Sequence, residues 1–397
     1  VTEIWITGIG LASVAGEGRA AHAAMLDAAL PPPTDTASFA PFAVHPAPVL
    51  ELDRQIPKKG DQRQMEAWQR LGTYAAGLAL DDAGARGRVA EMDLFVAAGG
   101  GERDLALDEA VLAALAGLPA AEAAVKLNAM LASGLRPTLF LAQLANLLAG
   151  NISIVHGVTG ASRTLMGEEQ AGGDALRVAA ARLADGRAEI ALVGGAFSAP
   201  RWDLLVLYHG GGLLRRGAYA PVFDRAAAPG AIPATLGAFL VIETAAAARA
   251  RGARGLARLG GVGCEQARRD GTDTARDGAA RALAKLPLPA DSPLAVFSGA
   301  TGVAGPTAAE HAWLASLHRP IAIRAVGSRL GWGAEAAFPA SVALAALALH
   351  QGALPPPLDE TEAAFDGTLT HALVTGFGAW RGEALAWLAR IPEGAQP

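Results

Sequence analysis

Gly167-Glu168-Glu169-Gln170-Ala171-Gly172-Gly173-Asp174-Ala175-Leu176 leads from an acidic pair through small residues into an Ala-rich segment ending near Asp185-Gly186. The apolar run Ile190-Ala191-Leu192-Val193-Gly194 follows it. A polar turn opening a helix, then a tight turn and a glycine-terminated strand, is the unit from which α/β folds are built. The unit recurs in both directions along the chain. Strand-like runs occupy residues 4–8, 94–99, 152–156, 190–195, 238–243, 256–262, 294–299 and 372–377, and helix-forming segments occupy 66–81, 138–149, 172–184, 307–317 and 336–350. The apolar runs are continuous rather than alternating, as expected for strands covered by helices on both faces.

Residues 244–255, helical at their start, read as a crossover between two stretches of comparable chemistry, 1–247 and 248–397. No strict repeat links the two, so duplication rests on the shared order of strand, long helix and glycine-ended strand. Two segments read as excursions. The proline-rich residues 30–48 are expected to wrap the surface. Residues 105–118 have helical periodicity with little charge, which suits either a cap on the same core or a subunit contact.

Composition narrows the function classes. Charged residues are 18% of the 397 and apolar ones 52%, so Ala, Gly or another subunit must cover much of the surface, and disorder is a poor fit. The net charge of −5, with arginine scattered rather than clustered, argues against a nucleic-acid surface. Apolar runs such as residues 340–349 are too short for a membrane span. With one cysteine and no basic leader ahead of residue 4, a reducing cytoplasm is the expected compartment.

Motifs that carry common chemistry are missing: there is no His-Glu-x-x-His, no phosphate loop and no CxxC pair. None of the eight histidines sits at metal-ligand spacing, so neither a metal nor a cofactor is expected. Cys264, read as ending a strand, has no evident activating neighbour and suits a small buried residue. The start of the central helix would suit a nucleophile or an anion, but the polar residue there is Gln170, whose amide can only hydrogen-bond. The plainer reading is that Glu168 and Glu169 cap the helix.

Several stretches in order resemble the β-ketoacyl synthase family. Thr7-Gly8-Ile9-Gly10-Leu11-Ala12-Ser13 looks like its opening strand and turn. Leu183-Ala184-Asp185-Gly186-Arg187-Ala188-Glu189-Ile190-Ala191-Leu192-Val193-Gly194-Gly195 matches the stretch after its nucleophile helix, and Pro221-Val222-Phe223-Asp224-Arg225 its Pro-Phe-Asp element. The closing Gly-Phe-Gly is kept as Gly376-Phe377-Gly378. The resemblance implies a thiolase-like, five-layered α/β/α/β/α fold with two topologically similar halves. In active members a cysteine takes the acyl chain and two histidines stabilise the oxyanions formed on decarboxylation. Matched motif by motif, the cysteine falls on Gln170, the first histidine on Gly299, the lysine before the second histidine on Gly327, and that histidine on Trp332.

No catalytic residue is therefore expected. Without a thiolate no acyl-enzyme forms by the usual route, and loss of a single oxyanion donor alone typically costs ~10²–10³ in rate. The run Glu169-Gln170-Ala171-Gly172-Gly173 resembles the chain length factor subunits of type II polyketide systems, which pair with an active ketosynthase and shape its acyl tunnel. The resemblance implies an active β-ketoacyl synthase as partner, in a heterodimer or higher assembly, and acyl carrier protein acting through that complex. It also points to Arg136, Pro137, Thr138, Leu139, Phe140 and Phe377 as pocket or interface residues, although composition alone makes residues 139–148 a helix with an apolar face. Rival readings are a decarboxylating priming synthase, which also carries glutamine but keeps the histidines, a divergent enzyme using Cys264 or Glu169, and a structural homodimer.

Overall fold

The structure, a computed structural model, describes residues 2–268, 273–289 and 293–397. The chain begins with β1 (Ile4–Ser13), β2 (Gly16–Glu17), α1 (Gly18–Asp27), α2 (Lys59–Gln64), α3 (Ala67–Asp82) and β3 (Asp93–Ala97). Four helices follow before the next strand: α4 (Leu105–Leu115), α5 (Ala120–Gly134), α6 (Leu139–Ala142) and α7 (Leu147–His156). Then come β4 (Ser162–Leu165), α8 (Glu168–Ala184), β5 (Ile190–Phe197), α9 (Trp202–Gly210), β6 (Leu236–Thr244) and α10 (Ala245–Ala250). The rest comprises β7 (Ala257–Arg268), α11 (Thr274–Leu283), β8 (Leu294–Ser298), α12 (Ala304–Ala315), β9 (Ile321–Ala325), α13 (Gly327–Leu330), α14 (Ala337–Gln351), β10 (His371–Phe377) and β11 (Arg381–Ala389).

The strands form one path, β4-β3-β5-β6-β1-β7-β11-β10-β8-β9, with β2 beside β1. Setting β2 aside, each side of the β1/β7 junction places its strands in one order: third, second, fourth, fifth, first. The pairing types repeat as well. Parallel ladders join β3 to β4 and β5, and β8 to β9 and β10, while the remaining ladders are antiparallel. Identical order and direction in both sets make the two halves topologically alike, a likeness the residues themselves do not repeat.

Layering follows from side-chain size. β1 carries Gly8 and Gly10 against α3, where an added Cβ would lie 2.5 Å from the carbonyl oxygen of Ala79 and 1.9 Å from that of Ala75. Only glycine lets the helix lie this close to the strand. Helix α3 starts with a capping box between Glu66 and Gln69. Helices α8 and α14 lie between the two sheets, with Gly172 of α8 fitted against Pro339 and Gly173 against Ala384 of β11. Residues 338–349 of α14 are all buried, so a helix enclosed on every side accounts for a stretch that is apolar except for Ser341, whose hydroxyl bonds the Ala337 carbonyl. Helices α11 and α12 cover the far face of the second sheet, completing the expected five-layered α/β/α/β/α order.

Five local expectations need correction. Residues 152–156 are the last turns of α7, which ends at Gly157 in a left-handed cap, and not a strand. Residues 138–149 are not one helix but α6, a break and the start of α7. Helix α4 does not cap the core: none of its residues is buried, and it packs on α5, with Leu107 against Gly134. The proline-rich segment 30–48 does not merely wrap the surface, since Phe42, Val44 and His45 are buried, with Phe42 bridging to Arg216, His45 to Ala234 and Val44 back to Asp35. Cys264 sits within β7 rather than at a strand end.

Candidate functional site

The central helix starts from a contorted turn. Gly167 has φ +139°, and Glu168 follows with φ +50°, a left-handed value that a residue with a side chain adopts only when its surroundings enforce it. Glu168 reaches Arg381 at 3.3 Å. The turn delivers Gln170 into the first turn of α8, 2% exposed and lining a small cavity of about 20 Å³. Gly299, Trp332, Thr375 and Phe377 line the same cavity, together with Glu169. Residues from positions 169 to 378 thus converge because α8, β8, β10 and the turn before α14 all end at one level between the sheets.

Trp332 occupies its corner through an aromatic cluster. Its ring packs edge-on against Tyr208 at 4.7 Å and lies 6.0 Å from Phe197, and Tyr208 in turn stacks on Trp380 at 5.7 Å. The indole Nε1–H donates to Oε1 of Glu169 at 3.1 Å. Glu169 is half-buried with its carboxyl turned inward. Burial, opposed by hydrogen bonds from its own backbone, Trp332 and Ala379, and helped by the nearby Glu168 charge, pushes that carboxyl up to about 7. Both glutamates lie in the first turn of α8, where its dipole favours them, although neither makes the usual N-cap side-chain bond and Glu169 also accepts from the tryptophan. Glu335 lies close by and is likewise raised to about 7, by burial first and then by the Glu169 and Glu168 charges.

Gly299 ends β8. Its N–H donates to Oγ1 of Thr375 at 3.2 Å, and a Cβ added at this glycine would stand 2.4 Å from the Thr375 carbonyl oxygen and 3.0 Å from Cα of Gly376. The neighbouring strand has closed over the space a side chain would need. Behind it Glu310 accepts hydrogen bonds from Ser298 Oγ at 2.8 Å and from Thr375 Oγ1, while its second oxygen has no partner. Burial pushes this carboxyl also to about 7, against those two bonds. Gly327 stands outside the cavity: a Cβ there would meet the Ala300 carbonyl oxygen at 2.8 Å and Val222 at 3.1 Å.

The groups that line the cavity include no thiol, imidazole or amine. Its volume suits a single water molecule. Cys264 lies beyond Gly173, and burial pushes its thiol up to about 12, far from a nucleophilic thiolate. Among the described residues no three His, Cys, Asp or Glu side chains are grouped to hold a metal ion, and no helix is long and apolar enough to cross a membrane.

Arg136, Pro137, Thr138, Leu139 and Phe140 lie apart from this cavity, on the surface around α6. Arg136 is tied to Glu66 at 2.6 Å, and Phe140 is 70% exposed. Near them the α4–α5 hairpin exposes Leu112 and Val125. Sequence reasoning missed Glu310 and Glu335. Single glutamates in Ala-rich helical segments carry no signal of burial, and only the fold reveals what surrounds them.

The family model for the β-ketoacyl synthase N-terminal domain matches residues 42–248. A comparison with curated protein sequences finds no match. Among solved structures, the ishigamide ketosynthase/chain length factor is similar with a TM-score of 0.79 at 23% identity, over 98% of this chain and 100% of that one. A β-ketoacyl synthase from Burkholderia phymatum superposes with a TM-score of 0.74 at 18% identity, covering 99% of this chain and 100% of the other. A type II PKS acyl-carrier protein in complex with its ketosynthase bound to the hexaketide gives 0.71 at 15% identity, covering 98% and 99%. At these identities the likeness is one of fold.

Proposed function

The chain belongs to the β-ketoacyl synthase family, and we propose that within it the protein is a noncatalytic, chain-length-factor-like partner of an active β-ketoacyl-[acyl-carrier-protein] synthase, contributing to the acyl pocket of the pair. The observation that carries the reading is the joint occurrence of Gln170, Gly299 and Trp332 around one water-sized cavity. An acyl-enzyme needs a nucleophile with a base or an oxyanion site beside it, and these side chains supply only an amide and an indole N–H. The glutamine alone would equally suit a decarboxylating priming synthase. That chemistry must stabilise an enolate, and neither Gly299 nor Trp332 brings an imidazole to the task.

The surface supports a partner. Strand β4 ends the sheet path, paired on one side to β3, and an open edge is a template for another chain unless it is covered. Leu112, Val125, Phe140 and Leu141, all exposed, belong to the insertion between β3 and β4. Exposed apolar side chains of this kind are what an obligate partner covers.

Purified alone, the protein is expected to release no carbon dioxide from malonyl-carrier protein and to take up no label from an acyl thioester, at a level at least ~10³-fold below an active synthase. Radiolabel transfer and gas release measure this, and robust turnover by the isolated chain overturns the reading. Co-expressed with the cysteine-bearing homologue, it is expected to elute as a mixed complex. In that complex Leu139→Trp, Phe140→Trp and Leu141→Trp are expected to shorten the acyl products at whichever position faces the cavity, read by mass spectrometry of carrier-bound chains. An unchanged length distribution across the series removes the pocket role.

A further inference from the structure

A second, larger cavity lies on the opposite side of Gly299-Ala300-Thr301-Gly302: an open groove of about 440 Å³ between the segment around Arg225 and helix α12. Its apolar lining comes from Val222 and Phe223 on one side and Ala308 of α12 on the other, and His311 stands one turn along α12 from Ala308. Arg225 forms part of the lining although it is only 2% exposed. Its Nε donates to the Ala220 carbonyl at 2.9 Å and its Nη1 to the carbonyls of Thr301 at 2.8 Å and Gly230 at 3.2 Å. Nη2 is buried and meets no acceptor.

The orphaned nitrogen sets this arginine apart. Among the described residues no carboxylate lies within ion-pair distance of it. Asp359, nearby, accepts a hydrogen bond from the Phe223 backbone instead. Arg324 and Arg329 are buried too and likewise bond backbone carbonyls, but of these three arginines only Arg225 has a buried nitrogen without an acceptor. Taking a guanidinium out of water without an anion is costly, and an orphaned donor adds to the cost. The start of α12, whose cap residue Val303 offers no side-chain oxygen, turns the positive end of a twelve-residue helix to the same groove through Gly302 and Ala304.

We propose that this groove binds an organic anion, its phosphate or carboxylate head drawn to Arg225 and the start of α12 and a short apolar stem lying along Val222, Phe223 and Ala308. The site is separate from the Gln170 cavity and does not depend on the partner reading above. A bare inorganic ion would leave most of the groove empty, whereas a head with a stem of several carbons fills it.

The experiment titrates the full chain with octyl phosphate, octanoate and octanol, followed by calorimetry and by the imidazole resonances of His311. One or both anions are expected to bind at least ~tenfold more tightly than octanol and to move the His311 signals. Which of the two binds more tightly identifies the head group. Arg225→Gln would remove the charge but also three bonds to backbone carbonyls, so Ala308→Trp carries the structural control. Ala308 is exposed, so the protein should melt as before while the anion is lost from the groove. Equal binding of octanol, no binding of either anion at about 1 mM, or binding that survives Ala308→Trp overturns the proposal.

Discussion

Gly299→Ala is expected to cost about 2–3 kcal/mol of stability, the upper part of the range for forcing extra atoms into a packed core. The methyl would sit 2.4 Å from a backbone carbonyl oxygen of β10 and 3.0 Å from a backbone carbon, and neither atom can turn away as the end of a long side chain can. Gly305→Ala, where nothing lies within 4 Å of the added methyl, should be neutral or mildly stabilising, since alanine is the better helix former. Urea denaturation of both variants, with the slope unchanged, reads the difference. Gly299→Ala as stable as the parent would show that β10 yields easily.

The consequence reaches the family reading. A chain that had lost only its reactive side chains could regain them by substitution, with Gln170→Cys and Trp332→His completed by Gly299→His. The packing around Gly299 blocks the last step, and Gly327→Lys meets the same obstacle at the Ala300 carbonyl, 2.8 Å from its Cβ. The combined variant is expected to show no condensing activity and to be less stable than Gly299→Ala.

What the sequence displayed was the scaffold, and the reason lies in periodicity. Helices α3, α8 and α14 and strands β1, β5, β6 and β10 are long enough for their pattern to fix their type. Residues 152–156 were too few: an apolar run of five is as good a helix end as a strand, and only the left-handed Gly157 after it decides. Strand β9 went unread because it contains Arg324, which is buried only because it bonds the carbonyls of Pro355 and Ala363. Strand β11 begins Arg381-Gly382-Glu383 and looks like a turn until its pairing with β7 and β10 is known. For the site, motif order identified Gln170, Gly299 and Trp332, whose convergence on one cavity is a property of the fold. The bond between Glu169 and Trp332, 163 residues apart, had no sequence trace at all.

The buried glutamates provide the second large effect, one that appears only as pH is varied. Glu310 and Glu335 rise from an ordinary value of 4.5 to about 7 in the folded protein, burial being the main cause for both. Between those values the unfolded chain has given up protons that the folded chain still holds, so each glutamate makes stability fall as pH rises from 4.5 through 7. His22, His45 and His156 tilt the profile the other way. Burial lowers each from 6.5 to about 4, so the unfolded chain takes up protons that the folded chain refuses as pH falls through that interval. The two sets overlap between about pH 4.5 and 6.5 and oppose one another there, and the parent protein is expected to show a nearly flat profile in that window. Glu310→Gln and Glu335→Gln remove two of the three carboxyls raised to about 7, Glu169 being the third, while keeping size and shape. Relative to the parent, each variant is expected to be about 2–3 kcal/mol more stable at pH 8 than it is at pH 4.5, as a difference between the two pH values. Combined, they should leave only Glu169 to oppose the three histidines, so that stability rises more steeply from pH 4.5 to 6.5 than in the parent. Chemical denaturation at a series of pH values measures both, and a shift that is the same at pH 4.5 and pH 8 would mean that these carboxyls ionise in the fold as freely as in the unfolded chain.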